Sequence, residues 1–95
     1  MLRLRADVHH ALTGEGGALL DERTGRWTYL SPSASMALRA LLHSDSMEQA
    51  SRVYADRYGV DPLVARSDLE QVVDAVRGLL HQHRTSVRRR RWWSR

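Results

Sequence analysis

Ninety-five residues without a cysteine suit one domain with a modest core, and exclude disulfides and thiolate metal centres. The net charge of +4 is unevenly placed: the arginines at 88–91 and 95 outweigh it, leaving residues 1–87 at about −1. No apolar run reaches the length of a membrane span, and Arg3, Arg5, Asp7, His9 and His10 break up the start as no signal peptide would, so a cytoplasmic protein is expected.

In chain order, residues 7–13 read as a first strand, followed by a flexible turn at Gly14, Gly16 and Gly17. Gly17 to Asp21 and Arg26 to Leu30 form two further strand-like runs. Glu22 to Gly25 is the turn between them, with Gly25 free to take positive φ. Alternation puts Trp27 and Tyr29 on one face of the third strand, and Arg26, Thr28 and Leu30 on the other.

Three helices are expected to follow. Ser31 as N-cap and Pro32 at the first helical position open one, whose apolar residues keep helical spacing up to His43. Ser46 with Gln49 makes a capping box for the second, which Gly59 ends. Asp61-Pro62 begins the third, where Leu69, Val72, Val73, Val76 and Leu80 form the longest apolar stripe of the chain. Gly78 costs about 1 kcal/mol inside a helix, so this one is expected to fray there or run on to about His83. The order β-β-β-α-α-α implies a winged-helix-like α+β fold, a three-stranded antiparallel sheet followed by three helices. Residues 1–84 would form the domain, and 85–95 a basic Arg/Trp tail expected to be disordered.

Such a hairpin feeding helices leaves the third strand with an open edge, which offers backbone donors and acceptors to an extended peptide. Catalysis finds no support: there is no cysteine nucleophile, no Gly-x-Ser-x-Gly elbow and no phosphate-binding glycine loop. The five histidines lack carboxylate or thiol companions at ligand spacing, so neither metal nor cofactor is expected. Helices two and three do form a helix-turn-helix pattern, which keeps a small winged-helix DNA-binding transcription regulator as the alternative. The third helix, however, opens with Asp61 and Asp68 against the single Arg66, a poor match to a phosphate backbone, and no nucleic-acid partner is expected. An assembly subunit whose edge pairs with another protein chain is a third reading.

Leu19-Leu20-Asp21, Thr24-Gly25 and Leu30-Ser31-Pro32-Ser33-Ala34, followed by Tyr58-Gly59-Val60-Asp61, Asp68 and the Val72, Val73, Val76 spacing, resemble PqqD-like proteins over about residues 7–80. Ser31 and Ala34 depart from the Asn and Gly common there, and Gly78 comes about two residues early. The resemblance implies a RiPP recognition element, most like the stand-alone leader-peptide-binding protein of lasso-peptide biosynthesis. Its implied partners are a precursor leader peptide, a leader peptidase (a transglutaminase-like cysteine protease) and an asparagine-synthetase-like cyclase. It also implies that the leader adds as a strand beside Arg26, Trp27, Thr28, Tyr29 and Leu30, against the third helix. On that helix Leu69, Val72, Val73 and Val76 are the expected groove wall, with Trp27 or Tyr29 close by, although plain core packing competes for each valine. Arg66, Asp68, Glu70, Asp74 and Arg77 are the expected rim, choosing register by charge.

Overall fold

Local chemistry closes the hairpin. In the computed structural model, which describes residues 2–81, the Asp21 carbonyl accepts hydrogen bonds from the Thr24 and Gly25 N–H groups at 3.3 and 2.7 Å. Gly25 sits at φ 74°, where a side chain would be strained. Thr24 Oγ1 accepts from the Arg26 N–H at 3.2 Å, turning that amide inward. The result is an antiparallel sheet of β1 (Val8–Thr13), β2 (Gly16–Asp21) and β3 (Arg26–Leu30), in that spatial order. Asp21 pairs with Arg26, Leu19 with Thr28 and Gly17 with Leu30.

The helices are α1 (Pro32–His43), α2 (Met47–Tyr58) and α3 (Pro62–Ala75). Each starts on its expected cap: Ser31 Oγ accepts from the Ala34 N–H, Ser46 Oγ from the Gln49 N–H, and the Asp61 carboxylate from the Leu63 N–H. Gln49 reaches back one residue further than a standard capping box, accepting from the Asp45 N–H at 2.6 Å. Gly59 ends α2 in the left-handed region at φ 64°.

Two apolar clusters fuse into the core. Leu41, Ala50, Tyr54, Ala65 and Leu69 join the three helices to one another. Val8, Leu19, Leu38, Val76 and Leu80 join them to the sheet. Val72 and Val73 pack against both clusters. Where α1 crosses β2 the backbones approach closely: a Cβ on Gly17 would lie 2.9 Å from Ser35 Oγ and from the Leu12 side chain.

The third helix is shorter than the sequence suggests. It stops at Ala75, and Val76 (φ −107°, ψ 12°) leaves the helical path to become fully buried. A 3₁₀ turn over Arg77–Leu79 carries the chain round, and Leu80 then bridges to Leu4. This N-terminal strap is held by backbone bonds from Arg5 N–H to the Leu79 carbonyl (3.0 Å) and from His81 N–H to the Arg3 carbonyl (2.7 Å). The Arg5 guanidinium adds bonds to Asp7 (2.9 Å), Asp21 (2.7 Å) and the Gly78 carbonyl. Burying Val76 and Leu80 while pairing the strap is incompatible with a helix that continues straight. The expected continuation towards His83 is therefore not made over residues 76–81; residues 82–83 and the Arg/Trp tail at 85–95 lie outside the described residues.

Candidate functional site

Strand β3 has β2 on one side and, among the described residues, no strand on the other. The hydrogen-bond phase fixes which of its residues serve that open side. Glu22 N–H donates to the Asp7 carbonyl at 2.9 Å, so the backbone at residue 22 faces the β1 side, whereas the Asp21 carbonyl turns to the hairpin. Backbone groups of an antiparallel pair alternate in direction from one residue to the next. Arg26, Thr28 and Leu30 therefore aim their N–H and C=O groups at β2. Trp27 and Tyr29 aim theirs at the open side.

The side chains alternate in the other sense. Thr28 and Leu30 pair with Leu19 and Gly17 and so face the helices. Trp27 and Tyr29 project to the outer face, 55% and 76% exposed, with ring centroids 6.1 Å apart in a stacked pair. Beside the helix-facing row lie two hollows. The upper one, about 350 Å³, lies between Leu30 and Ser33 on one side and Asp68, Gln71, Val72 and Ala75 of α3 on the other. Tyr54 also lines it. The lower one, about 380 Å³, is bordered by Arg26, Trp27, Thr28, Gly78 and Leu79, with Asp21 at its edge.

The electrostatics differ between the two. Asp68 is half-buried in the upper hollow and forms no ion pair among those of the described residues. Burial first, then the Asp68 charge and the neighbouring Tyr58, push the Tyr54 hydroxyl above the usual phenol range, with a Ser33 hydrogen bond opposing. In the lower hollow the Asp21 carboxylate is already satisfied. The hydrogen bond from Arg5 holds its pKa below the ordinary carboxylate value against the cost of desolvation, with help from the Arg23 N–H.

Of the residues expected to form the site, the structure brings Arg26, Trp27, Thr28, Leu30, Asp68 and Val72 to the two hollows. Tyr29 adds its backbone edge, but its ring borders neither hollow. Leu69 and Val76 are 0% exposed and belong to the core, because Leu69 lies on the face of α3 that packs against α1 and α2, and Val76, just past the helix, joins Val8, Leu19 and Leu38. Arg66, Val73 and Arg77 lie on the flank turned away from β3. There Arg66 bonds Glu70 at 3.2 Å, Arg77 pairs with Asp74, and Val73 lies in a separate dip with Met47. Tyr54, Gln71, Ala75 and Leu79 were missed. The spacing 68, 71, 72, 75 is a helical face in its own right, but its mixed polarity hides it behind the valines.

These features define a winged-helix-like α+β domain with one sheet edge left open beside a helix. The chain belongs to the PqqD family (coenzyme PQQ synthesis protein D), which matches residues 16–79. No curated protein matches it. Among solved structures it is similar to lasso peptide synthetase B1 complexed with the leader peptide, at 26% identity and a TM-score of 0.73, over 85% of this chain and 98% of that one. It also shares the fold of TbiB1 in complex with the TbiA(beta) leader peptide, at 21% identity and a TM-score of 0.72, over 86% of this chain and 98% of that one. None of the described helices is long and apolar enough to cross a membrane.

Proposed function

We propose that this protein binds the leader region of a ribosomally made precursor peptide of the lasso type, by strand addition to β3 in the groove against α3. It then presents that precursor to a leader peptidase and a cyclase, and itself makes and breaks no bond. The observation that carries this reading is the open backbone edge of Trp27 and Tyr29 on a strand whose neighbouring residues Thr28 and Leu30 line two hollows. The similarity to two structures that contain leader peptides supports it. Arg66 of α3 and Arg77 of the turn that follows it are each paired with an acid of α3, which leaves little for a nucleic-acid backbone.

The energetics say what the leader must carry. Two outward-facing residues offer four backbone hydrogen bonds, each worth about 0.5–1.5 kcal/mol net. Ordering a flexible leader takes back about 2–5 kcal/mol. Micromolar affinity needs about 8 kcal/mol, so buried side chains at about 1.5–3 kcal/mol each must supply the rest. The hollows beside Thr28 and Leu30 lie two residues apart along β3. They suit apolar anchors on the same face of a guest strand, at positions i and i+2.

Titrating the protein with fluorescein-labelled leader peptides of lasso-type precursors tests this. We expect saturable binding in the micromolar range or tighter, with the largest amide shifts at Trp27, Tyr29 and the 68–75 face of α3. Binding without shifts along β3 would overturn strand addition, and no binding would overturn the function.

A further inference from the structure

A second groove runs along the seam between α1 and α2, on ground the strand-addition site does not use. Its volume is about 350 Å³. Met36, Ala40, Val53 and Tyr54 give it an apolar floor, and Arg39, His43 and Arg57 stand around it with no carboxylate among the lining residues. Most of the described arginines have an acidic partner: Arg5, Arg23, Arg52, Arg66 and Arg77 each pair with an Asp or Glu. Arg39 and Arg57 form no ion pair among the described residues. The Arg57 guanidinium lies over the Tyr58 ring at 5.8 Å instead. Two arginines without counter-charges flanking an apolar trough match a ligand that carries an apolar side chain next to carboxylates.

This groove adjoins the upper hollow across a shared wall residue. Tyr54 lines both, and Ser33 of the upper hollow lies on the same side of α1 as Met36 and Ala40, at i+3 and i+7. From Ser33 to Ala40 is about 10 Å along the helix, a distance that three or four extended residues cover. A strand leaving β3 past Leu30 is therefore within reach of Tyr54 and then of the Arg39–Arg57 pair.

We propose that the α1–α2 groove is a second seat for the same precursor leader, taking an apolar residue flanked by acidic ones, three or four positions beyond the segment paired to β3. The proposal rests on the leader-binding reading and extends its footprint. Binding at two joined seats gives the leader a polarity: only one chain direction places its acidic end at Arg39 and Arg57 while its apolar anchors fill the hollows beside β3.

The test is anisotropy titration of the labelled leader against the wild-type protein, Arg39→Ala/Arg57→Ala, and Tyr29→Pro. It is repeated with a leader whose Asp and Glu are changed to Asn and Gln. We expect the double variant to bind about tenfold more weakly, with an unchanged melting temperature because both arginines are exposed. The amide leader should bind the wild type about tenfold more weakly and should lose nothing further on the double variant. Val53→Glu, at a half-exposed position, should reproduce the loss. Equal affinity of wild type and double variant, with Tyr29→Pro still defective, would overturn the second seat and leave strand addition standing. Unchanged leader affinity with loss of co-elution of the peptidase would assign the groove to that protein and overturn the leader as its occupant. A wild-type protein that ignores the leader would overturn both readings.

Discussion

The two flanks of α3 carry similar residue types and do different work. Away from β3, Arg66 is bound to Glu70 and Arg77 to Asp74, and Val73 lines a smaller dip beside Met47 whose charged rim is already paired. Toward β3, Asp68 has no ion-pair partner among the described residues, Val72 and Ala75 border a larger hollow, and the strand opposite has no neighbour on that side among those residues. A charge matched within its own helix is solvated surface worth a few tenths of a kcal/mol. A carboxylate left unmatched beside a hollow is a place where a guest can contribute what is missing.

The sharpest way to break this comparison is to put a charge on each flank. Ala75→Glu, at an exposed position facing the upper hollow, is expected to weaken leader binding about 100-fold, because a guest apolar residue would bury an unpaired carboxylate. Val73→Asp should do the reverse, lowering the melting temperature while leaving the affinity of the folded fraction within about twofold. Calorimetry and fluorescence titration on both variants decide it, and equal binding losses would mean the flanks are wrongly assigned.

Next in size is a pair of prolines on β3. Tyr29→Pro removes an outward donor, so leader affinity should fall about tenfold or more in a protein that remains folded. Thr28→Pro removes a donor used by β2 and should cost about 1–3 kcal/mol of stability in chemical denaturation. A folded Tyr29→Pro with full affinity would count against edge pairing.

Smaller effects sharpen the electrostatic contrast. Asp68→Asn should change affinity about threefold to tenfold, and Arg77→Ala hardly at all, when both are titrated at low and at physiological salt. Asp21 gives a pH signature. Because its folded carboxyl sits below the ordinary value, its contribution to stability is complete above about pH 4 and is lost as the pH falls through the unfolded and then the folded pKa. Asp21→Asn should flatten that part of the acid-unfolding profile, and an unchanged profile would mean that Arg5 does not hold Asp21 in solution.

Much of the fold was legible because its punctuation is chemical. Ser31-Pro32, Ser46 with Gln49, Gly59 and Asp61-Pro62 each satisfy or end a helix terminus using local groups, and local groups are what a sequence displays. The end of α3 was not legible. It is set by Val76 and Leu80 reaching the core and by the pairing with residues 3–5, contacts more than 70 positions apart in the chain. The valine stripe divides for a related reason: Leu69 and Val76 are fully buried in the core, whereas Val72 borders the upper hollow together with the quieter residues Asp68, Gln71 and Ala75. The ladder phase of β3 was equally hidden. It depends on how four turn residues spend their hydrogen bonds, and it puts the outward amides at Trp27 and Tyr29 and the inward one at Thr28.

Arg5 ties three remote stretches together, through Asp7 on its own strap, Asp21 at the hairpin and the Gly78 carbonyl beyond α3. Gly78 and Asp21 both border the lower hollow, so that cavity has no complete wall until the first and last described stretches of the chain have met. Half-folded molecules thus present a truncated berth. A guest strand seated as proposed would thus find its full berth only in the finished fold, with no additional component needed to tell finished from unfinished molecules.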